Sequence, residues 1–64
     1  MNELKQMMMN YFWGNDSYRK STLDRKVASQ IIQAAINAGY ISIVELSDEE
    51  EYQITEKGKH FIYG

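Results

Sequence analysis

A chain of 64 residues with no cysteine and a net charge of −2 has room for one domain and one core, since at this size only about 60% of the unfolded surface is buried on folding. An apolar share of 44% and a charged share of 25% are ordinary for a globular protein and argue against a disordered or membrane-spanning chain. The lack of cysteine removes disulfides and thiolate metal sites together, and such small domains rely on very good packing or on a partner chain.

The segment MNELKQMMMNYFW has an early acid and a lysine inside it, without the basic region, long apolar run and cleavage site of a signal peptide. No apolar stretch approaches the roughly 20 residues that cross a bilayer, so a cytoplasmic address without membrane contact is expected. Charge is unevenly spread. Residues 1–40 hold Lys5, Arg19, Lys20, Arg25 and Lys26 against Glu3, Asp16 and Asp24, whereas residues 41–64 hold Lys57 and Lys59 against six acids.

From Met1 to Phe12 the residues Met1, Leu4, Met7, Met8, Tyr11 and Phe12 recur at helical spacing, and Asn2 stands where it can cap the helix they predict. Gly14 is a natural stop, because glycine takes the left-handed conformation that commonly ends helices. Ser17 to Ser21 carries at most one turn's worth of helical pattern. Ser21 precedes Asp24 by three positions, a variant of the capping box, and a long helix is predicted from Thr22 to Ala38. Leu23, Val27, Ile31, Ala34 and Ala38 line one side of it, while Ala28, Ile32, Ala35 and Ile36 widen the apolar arc past half the circumference. The remaining strip holds Lys26, Gln30, Gln33 and Asn37, and Gly39 closes the helix.

Ile41 and Ile43 alternate with Ser42, and Tyr52 and Ile54 with Gln53, which predicts two strands around the polar loop Ser47-Asp48-Glu49-Glu50. They read as an antiparallel hairpin. Thr55 stands where it can cap a closing turn that runs through Gly58 to His60, Phe61, Ile62 and Tyr63; the glycine weakens that helix by roughly 1 kcal/mol relative to alanine.

Two stretches carry a resemblance to a known family: Ala38-Gly39-Tyr40-Ile41, a helix end turning into a strand, and Tyr52-Gln53-Ile54-Thr55-Glu56-Lys57-Gly58, a strand running into a capped helix. With the order of predicted elements, the chain resembles the winged-helix (winged helix-turn-helix) domains of bacterial and mobile-element transcription regulators, by motif over residues 30–64 and in outline before them. The resemblance implies an α+β fold, a single compact winged helix over residues 1–64, with helices followed by a two-stranded antiparallel hairpin and a short C-terminal helix. It departs from the family pattern in two places. Only Asp16 to Ser21 is available for the helix that precedes the recognition helix, and the wing carries Asp48, Glu49, Glu50 and Glu51 where basic residues are common.

The resemblance maps DNA recognition onto the helix Thr22–Ala38, and the residue chemistry suits it. Gln30, Gln33 and Asn37 can pair with adenine edges, Lys26 suits guanine or a phosphate, and Arg19, Lys20 and Arg25 can hold the backbone. The plain alternative is that the strip is the solvated side of a helix and that the cations pair with Asp16 and Asp24. Duplex DNA is therefore the expected partner of a small regulator. A protein-interaction module with an acidic wing and no direct DNA binding is the other reading.

Tyr11, Phe12 and Trp13 are adjacent, and one helix face cannot bury all three. With Met7, Met8, Phe61, Ile62 and Tyr63 they form the expected homodimer surface, the alternative being that they wrap around one core. His60 has neither a cysteine nor a second histidine beside it, and no nucleophile elbow or phosphate-cradling loop is present. No catalytic residue, metal or cofactor is expected.

Overall fold

A computed structural model describes residues 2–46 and 48–64. Across these described residues the fold is α+β, with four helices and a three-stranded antiparallel sheet. The Asn2 side chain accepts from the amides of Leu4 and Lys5 and starts α1 (Glu3–Phe12), which buries Met7, Met8 and Phe12. Gly14 follows with φ +79° and lets the chain reverse.

The expected two-stranded hairpin is instead part of a three-stranded sheet, because residues read as a turn of helix form β1 (Ser17–Arg19). Tyr18 explains this. Its ring meets Tyr11 and Phe12 edge-on, with centroids 5.3 and 6.4 Å apart, so the segment that carries it lies flat against the core. There it pairs with the central strand, Ser17 opposite Gln53, Tyr18 opposite Tyr52 and Arg19 opposite Glu51.

The single helix expected from Thr22 to Ala38 is two helices, α2 (Lys20–Lys26) and α3 (Ser29–Asn37), separated by extended backbone at Val27 and Ala28. Geometry supplies the reason. At about 100° per residue, Leu23 and Ile32 would point roughly 180° apart on one straight helix, yet both are buried, at 0% and 3% exposure. A break lets each helix turn its own face to the same core. No capping box forms either: Arg19 occupies the N-cap of α2 without a side-chain bond, and the Asp24 carboxylate is taken by Lys20 and Tyr52.

Gly39, at φ +81°, turns α3 into β2 (Ile41–Leu46), which runs antiparallel to β3 (Glu49–Ile54). The predicted loop is shorter than expected, since Glu49 and Glu50 already belong to β3; Ser47 lies outside the described residues. Strand order is β1-β3-β2, so β3 is central and β2 forms an edge. Thr55 caps α4 (Glu56–Tyr63) by accepting from the Gly58 amide at 3.0 Å, while its hydroxyl donates to the Gly39 carbonyl at 2.5 Å. One threonine thereby ties the end of α3 to the start of α4.

Met7, Met8, Phe12, Leu23, Ile32, Ala35, Ile41, Tyr52, Ile54 and Ile62 form one buried cluster. Four residues expected at a dimer surface, Met7, Met8, Phe12 and Ile62, are therefore committed to the protomer's own core. Tyr11 and Phe61 are half-buried, the latter stacked on Tyr40 at 4.2 Å, and only Trp13 and Tyr63 stand exposed, at 54% and 50%. Their rings lie 4.7 Å apart, and the Tyr63 hydroxyl accepts from the Gly14 amide at 2.7 Å, which latches α4 to the end of α1. No described helix is long and apolar enough to cross a membrane.

Candidate functional site

On α3 the buried side chains Ile32 and Ala35 face inward, and Gln30, Gln33 and Asn37 share the opposite side, all exposed. This follows from the helix period: positions 30, 33 and 37 fall within one narrow arc, roughly diametric to the buried pair. The result is a strip of three carboxamides with both donors and acceptors turned to solvent. Lys26, expected on the same strip, is separated from it by the break and sits in the last turn of α2 with Arg25.

The break creates a helix start that the sequence reading missed. Ala28 occupies the N-cap of α3 and gives no side-chain bond, so the amides of Ser29 and Gln30 have no partner among the described residues. An uncapped helix start carries partial positive charge and open N–H groups, both of which favour an anion. Arg25 and Lys26 stand four and three residues before Ser29, exposed and without an ion pair among the described residues. The signal for this start was present in the over-wide apolar arc, which no single helix with one buried face requires.

Arg19 and Lys20 are placed differently. The Arg19 Nε lies 2.7 Å from Glu49 Oε2, and Lys20 Nζ lies 2.9 Å from Asp24 Oδ2. Both cations are exposed or half-exposed, and their pairs line a shallow cleft of about 250 Å³ with Ser21 and Glu50. The Lys20 ammonium is held above its ordinary range by its bond to Asp24. The Asp24 carboxyl is held below its ordinary range, first by the Tyr52 hydroxyl and then by Lys20. The expected pairing of a cation with Asp24 is thus seen, whereas Asp16 lies 3.9 Å from Lys59.

A second groove, about 310 Å³, runs between α1 and the α2–α3 break, with Met7, Tyr11, Val27 and Ile31 in its floor and Glu3 and Lys26 on its rim. Among the described residues no group of three histidine or acidic side chains is arranged to hold a metal ion. Compared with known proteins, the chain matches no protein family, no curated protein and no solved structure.

Proposed function

We propose that this protein is a small winged-helix DNA-binding protein that reads duplex DNA with α3. The element order α1, β1, α2, α3, β2, β3, α4 and the strand order β1-β3-β2 support the winged-helix reading, with α2 and α3 as the two helices of the helix-turn-helix and β2–β3 as the wing. In this reading the helix before the recognition helix is α2, whose residues mostly lie within the span expected for one long helix, while Asp16–Ser21 holds β1 and only the start of α2.

The observation that carries the functional reading is the exposed carboxamide strip of α3 beginning at an uncapped helix start beside Arg25 and Lys26. Glutamine and asparagine offer paired donors and acceptors to base edges, which are the means of sequence discrimination in the major groove. The amides of Ser29 and Gln30 with Arg25 and Lys26 suit a phosphate at the groove's edge. Arg19 and Lys20 contribute less, because Glu49 and Asp24 already engage them. Few free cations mean modest affinity and a shallow salt slope, with selectivity resting on the carboxamides.

The test is fluorescence anisotropy of labelled duplexes of random and native upstream sequence, titrated at about 50 and 200 mM salt. Saturable binding that weakens with salt is expected. Absence of binding at the lower salt contradicts the proposal.

A further inference from the structure

We infer that the outer edge of β2 is a docking edge for an extended segment of another protein that alternates basic and aliphatic residues. The inference stands apart from the DNA reading, since it uses the backbone edge of β2 and not the exposed strip of α3. The strand order places β2 outermost, with its second row of backbone N–H and C=O groups unpaired by β3. Its register with β3 runs without a bulge from Ile41 opposite Ile54 to Leu46 opposite Glu49. Neither proline nor lysine interrupts it. Proline, lysine and bulges are means by which edge strands are blunted, and the one charge that β2 carries instead is Glu45, on its cluster-facing side.

The two faces of this edge differ. Val44 and Leu46 lie on the face away from the buried cluster, and Leu46 is 43% exposed. On the other face, Ile43 is 46% exposed, and beyond it Glu45 stands directly opposite Glu50. Like charges in directly opposed positions destabilise a hairpin, so this pair is a local conflict that a cation between or beside the carboxylates would relieve.

Charge selects the occupant. A second copy pairing in parallel register through β2 would bring Glu45 against its own counterpart and set Asp48, Glu49 and Glu50 beside theirs, with Arg19, on Glu49, the one cation within ion-pair distance of them among the described residues. The carboxylates that repel a copy attract a basic strand. Alternation then sets the pattern: a neighbouring strand with aliphatic side chains beside Val44 and Leu46 places its other side chains beside Ile43 and Glu45. Lysine or arginine there covers Ile43 with its stem and reaches Glu45 and Glu50 with its charge. Main-chain bonds supply affinity and the alternate side chains supply selectivity, as in strand addition generally.

The experiment uses the intact protein and a capped peptide of alternating lysine and valine, with a second peptide of the same sequence N-methylated at alternate residues. Binding is followed by anisotropy, and backbone protection by amide hydrogen exchange. The expected result is saturable binding of the first peptide, slower exchange at alternate amides of β2, and about tenfold weaker binding of the N-methylated peptide. Glu45→Lys, checked for folding by circular dichroism, is expected to weaken the first peptide's binding by about tenfold as well. Equal binding of both peptides, with β2 amides unprotected, would mean mere adhesion to an acidic surface and overturns the inference. So does failure of the first peptide to bind, and so does concentration-dependent protection of β2 without any peptide, which would make a second copy the occupant.

Discussion

The Tyr52 hydroxyl donates to the Asp24 carboxylate at 2.5 Å, and the bond ties the central strand to α2. Lys20 completes the group, bonding Asp24 at 2.9 Å with its ammonium 5.8 Å from the centre of the Tyr52 ring. Because Leu23 and Asp24 are neighbours on one short helix, the polar bond and the buried leucine fix α2 against the sheet from two sides.

This linkage gives stability a pH dependence at both extremes. The folded state lowers the proton affinity of Asp24 below its ordinary 3.8, so its contribution is fully present above that value and is lost as pH falls through the lower, folded value. Tyr52 behaves oppositely. Burial, and then the bond to Asp24, push its hydroxyl up from 10.0 to about 12, so its contribution is fully present below pH 10 and is lost as pH rises toward 12. Tyr52→Phe is expected to cost about 1 kcal/mol at neutral pH, since Asp24 is partly exposed, and to flatten both limbs. Urea denaturation across a pH series measures this; limbs unchanged in the variant would show that the bond has no such role.

The break between α2 and α3 makes a prediction opposite to that of a continuous helix. Ala28 has φ −59° and ψ 138°, Val27 before it is extended at φ −127°, and the Ala28 amide donates to no described group. Proline fits each of these conditions. Ala28→Pro is therefore expected to leave stability unchanged or raise it by about 0.5 kcal/mol, whereas in the middle of a helix it would cost about 3 kcal/mol or more. Thermal or urea denaturation separates the two outcomes.

Gly58 is fixed by space. A Cβ on it would collide with the Tyr40 carbonyl oxygen and stand 2.7 Å from Ile54 Cγ1, and the backbone carbonyl cannot give way cheaply. Gly58→Ala is expected to destabilise the fold by about 2–3 kcal/mol although alanine is the better helix former, a result that denaturant unfolding would show. A stabilised variant would mean that α4 sits further from Tyr40.

These residues also show what can be read from a sequence and what cannot. Gly39, Thr55 and the alternation of Ile41, Ile43, Tyr52 and Ile54 act locally, through left-handed backbone, a cap and strand period, and the structure places them as their chemistry requires. The break at Val27–Ala28 has no glycine or proline to mark it. It arises because Leu23 and Ile32 must meet one core, a tertiary demand whose only local trace is the excess width of the apolar arc. β1 is similar: Ser17–Arg19 is too short to show a period, and Tyr18 is drawn to the sheet by Tyr11 and Phe12. Of the candidate site, Gln30, Gln33 and Asn37 were legible because they depend on helical period alone. Lys26 was misplaced by the unseen break, and the pairing of Arg19 with Glu49 depends on the third strand.

The central claim, that α3 reads DNA, is tested most directly by comparing two double variants on native upstream and random duplexes at about 50 and 200 mM salt. The account predicts that Gln30→Ala with Gln33→Ala erases the preference between the duplexes while keeping binding to both, and that Arg25→Ala with Lys26→Ala weakens both and flattens the salt dependence. Affinity and preference unchanged in both double variants would contradict it.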